Sequence, residues 1–171
     1  MAINAMIKAI TTALPKGIEY NDPDLRLTQK TGIFKRHIVG EKECASDLAL
    51  QAAEKLFLSM PSLREEIDFI LLCTQSPDYF LPTTACLLQN RLGLSKHCGA
   101  FDLNLGCSGY VYGLSVAKGL IESQQAKKIL LLTAETYSKF IHPQDHTVRP
   151  LFGDGATATL ISAANGKEML S

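Results

Sequence analysis

Tryptophan is missing from this chain, and so is any excess of charge of one sign: lysine plus arginine number 17, and aspartate plus glutamate also 17. No indole is available to stack on a ligand. A balanced chain without a dense basic run sets up no long-range field to gather nucleic acid or an anionic membrane surface. Long apolar runs are missing as well, since none reaches the ~18 residues that a membrane helix needs. Between Met1 and Leu14 no basic segment leads into a continuous apolar core and a small-residue cleavage site, so a cytoplasmic protein is expected. Paired cysteines are the last absence. Cys44, Cys73, Cys86, Cys98 and Cys107 are scattered, odd in number and without a Cys-x-x-Cys, which argues against a structural metal site.

What is present suits one folded domain. The 171 residues are 46% hydrophobic and 20% charged, enough apolar material for a core and too little charge for disorder. Residues Ile3 to Leu14 read as a first strand, and Pro15 to Cys44, polar and irregular, as loop with one short helix at most. After Ser46 and Asp47, the residues Ala49, Ala52, Ala53, Leu56, Phe57 and Met60 fall on one face of a helix that Pro61 stops. "DFILLCT" (Asp68 to Thr74) is an unbroken apolar run, as a strand covered on both faces should be. Pro82 and Thr83 open a helix that Gly93 closes. Ala100 to Leu105 reads as a strand, Ser108 to Gln124 as a helix, and Lys128 to Thr133 and Ala156 to Ser162 as strands. The alternation predicts an α/β fold: a mixed, mostly parallel five-stranded sheet with helices on both faces. The last two strands lack a convincing helix between them, so one pair is expected to be antiparallel.

"DLNLGCSGYVYGL" (Asp102 to Leu114) carries the sharpest question. Cys107 follows a strand and precedes a helix, and Ser108 to Ala117 contains no charge, so that helix is expected to be buried on most sides. Gly109, Gly113 and Gly119 each cost about 1 kcal/mol of helix propensity against alanine, which suggests close neighbours. Unpaired N–H groups and the helix dipole favour an anion at such an N-terminus and can turn a thiol into a reactive thiolate. Burial works in the opposite direction. On these residues alone, nucleophile and inert thiol both stand for Cys107; the other cysteines read as small buried hydrophobes. A hydrolase elbow, glycine-x-nucleophile-x-glycine, fits badly, because Leu105 stands where its first glycine should be and Asp145 and His146 are adjacent. Asp154 in "FGDG" reads as a turn aspartate holding backbone amides, and Glu135 as a packing or hydrogen-bonding residue at a strand end.

Five blocks, in order, carry a family resemblance: "KTGIFKRHI" (Lys30 to Ile38), "ASDLALQAA" (Ala45 to Ala53), "IDFILLCTQSPDYFLPTTACLLQNRLG" (Ile67 to Gly93), "FDLNLGCSGYVYGLSVA" (Phe101 to Ala117) and "FGDGATA" (Phe152 to Ala158). With them the chain resembles the N-terminal half of the β-ketoacyl-acyl carrier protein synthase III family, condensing enzymes of the thiolase type. The resemblance implies that residues 1–171 form one N-terminal thiolase-like domain, with the C-terminal half outside this chain. It implies that Cys107 accepts an acyl group from a thioester, which then condenses with malonyl-acyl carrier protein. It also implies a homodimer, with "DYFLPTTACLLQNRL" near the partner, and no metal or other cofactor.

The resemblance implies a histidine and an asparagine from the other half, which His37, His97, His142 and His146 do not match in position. Family members bracket the adenine of coenzyme A with a tryptophan and arginines; here Arg26 stands at the tryptophan position, and Lys30 and His146 at arginine positions. Lys30 and His146 can meet phosphate without the bidentate fork of arginine. The acyl donor is thus acyl-coenzyme A or another acyl thioester, including one on a carrier protein. Two other functions stand beside this one: a non-catalytic half-fold that pairs with a separate chain, and a cysteine hydrolase.

Overall fold

A computed structural model of the chain describes residues 4–164. Its elements run β1 (Asn4–Ala13), β2 (Gly17–Tyr20), α1 (Arg26–Thr31), β3 (Lys35–Ile38), α2 (Ala45–Ser59), α3 (Leu63–Glu66), β4 (Phe69–Cys73), α4 (Thr84–Arg91), β5 (Gly99–Leu103), α5 (Gly109–Glu122), β6 (Lys128–Glu135) and β7 (Gly155–Ala164). Two 3-10 turns, Tyr137–Phe140 and Arg149–Leu151, lie between β6 and β7. The described part of the first strand runs from Asn4, and Ile3, its expected start, lies outside the described residues.

Five strands form one mixed sheet in the order β1-β7-β6-β4-β5. The β4·β5 and β4·β6 pairs are parallel, and the β6·β7 and β1·β7 pairs antiparallel. Four of the five strands share one direction and only β7 runs against them, so the sheet is mixed and mostly parallel as expected, with β7 making two antiparallel pairs, to β6 and to β1, where one was expected. The apolar run of β4 is explained by its central place. Ile70 and Leu72 enter the core under α2 and α4, while Leu71 enters the second core, on the α5 face, with Ile129, Leu131 and Ile161.

The helices are fixed by local chemistry. The Asp47 carboxylate accepts the Cys44 N–H at 2.8 Å, closing a capping box at the head of α2. Asp102 on β5 accepts the N–H groups of Thr84 and Ala85 at 2.8 and 2.7 Å, so a strand carboxylate caps α4 across the fold. Gly93, at φ 65°, ends that helix in the left-handed region.

Two expectations need correction. Residues Pro15 to Cys44 are not mainly loop: β2 and β3 pair as an antiparallel hairpin around α1. These strands, "GIEY" and "KRHI", are four residues each, too short for an alternation to stand out, and the Ile18 and Tyr20 face of the first is exposed rather than packed in a core. Nor is α5 buried on most sides. Gly109, Gly113, Ala117 and Ile121, four residues apart each time, form the stripe that meets the sheet. Val111 and Tyr112 remain 67% and 58% exposed. A chargeless helix records that its surroundings are apolar, not which neighbour supplies them. The glycines differ as well. A Cβ on Gly109 would overlap Cys73 Sγ and one on Gly113 would crowd Leu131, whereas Gly119 has nothing within 4 Å.

Candidate active site

Parallel strands β5, β4 and β6 deliver their C-terminal ends to the same edge of the sheet, where ligand sites of α/β folds gather. Cys107 lies in the turn that joins β5 to α5. Leu105 N–H bonds to Leu103 O at 2.9 Å and Gly109 N–H to Gly106 O at 2.8 Å, which tightens the turn into the helix. The Cys107 side chain is exposed. Its N–H finds no acceptor among the described residues, and α5 has no side-chain cap and no acid in its first turn. A 14-residue helix therefore presents its positive end beside this sulfur.

The cysteine opens into a cleft of about 310 Å³, lined also by Gln75, Gly106, Tyr110, Glu135, Tyr137 and Phe152. Glu135, at the end of β6, accepts the Gln75 N–H at 2.6 Å and the Ser76 hydroxyl at 2.8 Å, one on each carboxylate oxygen. Burial holds this carboxyl above its usual range, and those two bonds oppose the rise. The expectation of a hydrogen-bonding role holds, and the residue faces the cleft as well.

The far wall is set by Asp154, which is 4% exposed. It accepts Val39 N–H at 2.9 Å, Ser138 N–H at 3.0 Å and Ser138 Oγ–H at 2.5 Å, while its own N–H bonds to His37 O at 2.8 Å. Arg36 donates from Nη1 to Phe152 O at 2.9 Å and from Nε to Asn21 Oδ1 at 2.9 Å. The hairpin missed in the sequence is thus what positions Phe152 and Gly153 at the cleft. Asp154 holds amides, as its turn context suggests.

The other thiols are placed differently. Cys73 is buried and bonds to Leu105 O at 3.1 Å; burial pushes its thiol up, helped by the charge of Glu135. Burial pushes Cys98 up to about 11 and also raises Cys44. Cys86 departs from the expected burial, being exposed on α4. Of the two exposed thiols, only Cys107 lines this cleft.

Arg26 and Lys30 stand four residues apart on α1, both exposed, and α1 packs beside the Arg149–Leu151 turn. His146 is exposed in the loop before that turn. None of the three lines the Cys107 cleft, and neither does any other histidine. His37 Nδ1 instead donates to Pro15 O at 2.7 Å. The hydrolase relay does not form. Asp145 Oδ1 is taken by the N–H groups of Thr147 and Val148 and by the Thr147 hydroxyl. Among the described residues no group of three or more His, Cys, Asp or Glu side chains is placed to hold a metal. Gln75, Tyr110 and Tyr137 were not singled out in the sequence. The signal available for Gln75 was its place just beyond β4, at the same sheet edge as Cys107.

A mixed five-stranded sheet with α2 and α4 on one face, α5 on the other and a cysteine at the head of α5 defines a thiolase-like half-fold. The family model for 3-oxoacyl-[acyl-carrier-protein (ACP)] synthase III matches residues 101–171. A β-ketoacyl-[acyl-carrier-protein] synthase III of Xanthomonas campestris is 40% identical over 177 aligned positions, covering 99% of this chain and 54% of that protein. A putative 3-oxoacyl-[acyl-carrier-protein] synthase 3 of Campylobacter jejuni is 44% identical over 143, covering 84% of this chain and 40% of its own length. A crystal structure of a 3-oxoacyl-(acyl-carrier-protein) synthase III superposes with a TM-score of 0.90 at 52% identity, covering 95% of this chain and 51% of that one. The chain belongs to the 3-oxoacyl-[acyl-carrier-protein] synthase III family and spans about half the length of the relatives it matches.

Proposed function

We propose that this chain is the acyl-accepting half of a 3-oxoacyl-[acyl-carrier-protein] synthase III-type acyltransferase, with Cys107 as nucleophile. One observation carries the reading: an exposed thiol stands at the N-terminus of a long helix, in a cleft, beside a backbone N–H without an acceptor among the described residues. The thiolate attacks the carbonyl carbon of an acyl thioester, and the negative charge moves to the carbonyl oxygen. The Cys107 N–H meets that oxygen, the type of donor whose removal costs about 10²–10³ in rate. The C–S bond to the carrier then breaks, the carrier thiolate takes up a proton, and the acyl group remains on Cys107.

Condensation is a separate demand. Loss of carbon dioxide from malonyl-acyl carrier protein leaves an enolate whose oxygen needs donors, and no histidine of this chain lines the cleft. Those donors come from outside this chain. Arg26, Lys30 and His146, all three exposed, serve the phosphates of coenzyme A or of a carrier-bound arm. The working unit is a homodimer in the cytoplasm; Tyr79, Phe80 and Leu81 are 63%, 101% and 83% exposed and β5 is a sheet edge, so an unpaired surface stands ready. Among the described residues no helix is long and apolar enough to cross a membrane.

Incubation with a labelled acyl thioester tests the reading. Label is expected on the Cys107 peptide, absent in Cys107→Ala, with no ketoacyl product when malonyl-acyl carrier protein is added to this chain alone. Label on Cys86 instead, or none on a folded chain, refutes it.

A further inference from the structure

The Gln75 side chain is one of two polar groups of the cleft, with the Tyr137 hydroxyl, that make no hydrogen bond among the described residues, and it is the one tied closest to the nucleophile's turn. Its backbone N–H is held by Glu135, and Glu135 also holds the next residue, Ser76, whose hydroxyl oxygen in turn accepts Thr136 N–H at 2.8 Å. The backbone at residues 75 and 76 is thereby tied to the end of β6. The Gln75 carboxamide lies on the Cα of Gly106, close enough that a Cβ there would displace it. It makes no hydrogen bond among the described residues, while both oxygens of Glu135 are occupied. So a fixed backbone holds out a free amide donor and carbonyl acceptor one residue from the nucleophile.

An acyl group bonded to Cys107 Sγ carries its first carbons into this cleft, where that carboxamide forms part of the wall. A plain alkyl chain laid against it strips water from the amide and returns nothing. A neutral hydroxyl on the acyl chain matches it, donating to the amide oxygen or accepting from its NH₂. A charged carboxylate substituent does not fit, because the Glu135 carboxyl shares the cleft.

We propose that Gln75 is a specificity-determining residue that selects acyl thioesters bearing a neutral hydrogen-bonding substituent, such as 3-hydroxyacyl groups, over plain alkanoyl groups of equal length. The proposal rests on the acyl-transfer reading above. Equal concentrations of 3-hydroxybutyryl- and butyryl-coenzyme A compete for the chain, and the ratio of the two adducts on Cys107 is read by mass spectrometry. The expected ratio is about tenfold in favour of the hydroxyacyl group, the size of one hydrogen bond. In Gln75→Met, close in shape and unable to hydrogen-bond strongly, the ratio falls to about one or below. The ratio is internal to each sample, so a change in folded fraction does not move it. A wild-type ratio at or below one overturns the proposal, as does a ratio that Gln75→Met leaves unchanged. If neither donor labels a Cys107 that iodoacetamide still alkylates, the acyl-transfer reading fails, and this inference with it.

Discussion

Replacing Asp154 by alanine isolates what holds the cleft together. In the folded chain its carboxylate is the acceptor for three donors: the N–H groups of Val39 and Ser138 and the Ser138 hydroxyl. All three bonds are buried, so water does not step in when the carboxylate is removed. The hydroxyl can turn to another acceptor, but the two backbone groups cannot. Each buried orphan costs about 1–3 kcal/mol, giving about 3–6 kcal/mol once the lost hydroxyl bond is added. That is a large part of the ~5–15 kcal/mol that holds a domain folded. For a chain of this size it corresponds to a fall in melting temperature of about 6–24 °C. Asp154→Asn keeps one oxygen, serves one of the two amides and should lose about half as much. Thermal unfolding followed by circular dichroism gives the stability order wild type, Asn, Ala. Acylation of Cys107, assayed well below each melting point, should drop less than tenfold, because Asp154 acts on the placement of Phe152 and Gly153. A melting point within about 2 °C of wild type for Asp154→Ala would refute the accounting. Full stability with abolished acylation would make Asp154 a chemical participant instead.

Gly109→Ala should destabilise by about 1–3 kcal/mol, since its Cβ meets Cys73 Sγ and Leu105, and Cys73→Ala should restore part of the loss; additive effects in urea unfolding would contradict this. Gly119→Ala, with open space around it, should stabilise by about 0.5–1 kcal/mol in the same assay. Glu19 is held below the usual carboxylate range, chiefly by its hydrogen bond to Arg149 and then by Arg36, against the opposing effect of burial. Its depressed value means that its contribution is present above the unfolded carboxylate pKa of ~4.3 and lost as pH falls through the folded value. Glu19→Gln should therefore cost more at pH 7 than at a pH below the folded value, by an amount that solvent at this partly exposed carboxylate keeps to about 1 kcal/mol or less, and an equal loss at both would exclude the mechanism. Sedimentation at low concentration should show a dimer, and Phe80→Asp with Leu81→Asp should shift it to monomer; a wild-type monomer would refute the paired surface.

Much of the sheet was legible because burial leaves a period in the sequence. "DFILLCT" is apolar throughout because both faces of β4 are covered, and the α2 face repeats at helical spacing because one side meets the sheet. Cys107 stood out for a related reason: strand, turn and chargeless helix are local properties, and so is the free N–H that such a turn leaves. The β2–β3 hairpin left no such trace. It is held by long-range polar contacts, Arg36 to Phe152 O across 116 residues and Asn21 Nδ2 to Pro150 O across 129, which no window of the sequence contains. The cleft partners were hidden in the same way. Gln75, Cys107 and Glu135 are far apart in the chain and meet because three neighbouring parallel strands end at one edge, with β4 between β5 and β6. Outside the hairpin, local patterns determined where the sheet strands and long helices lie and where a nucleophile can stand. The order of the strands decided what surrounds it, because strand neighbours are chosen by packing and pairing over the whole chain.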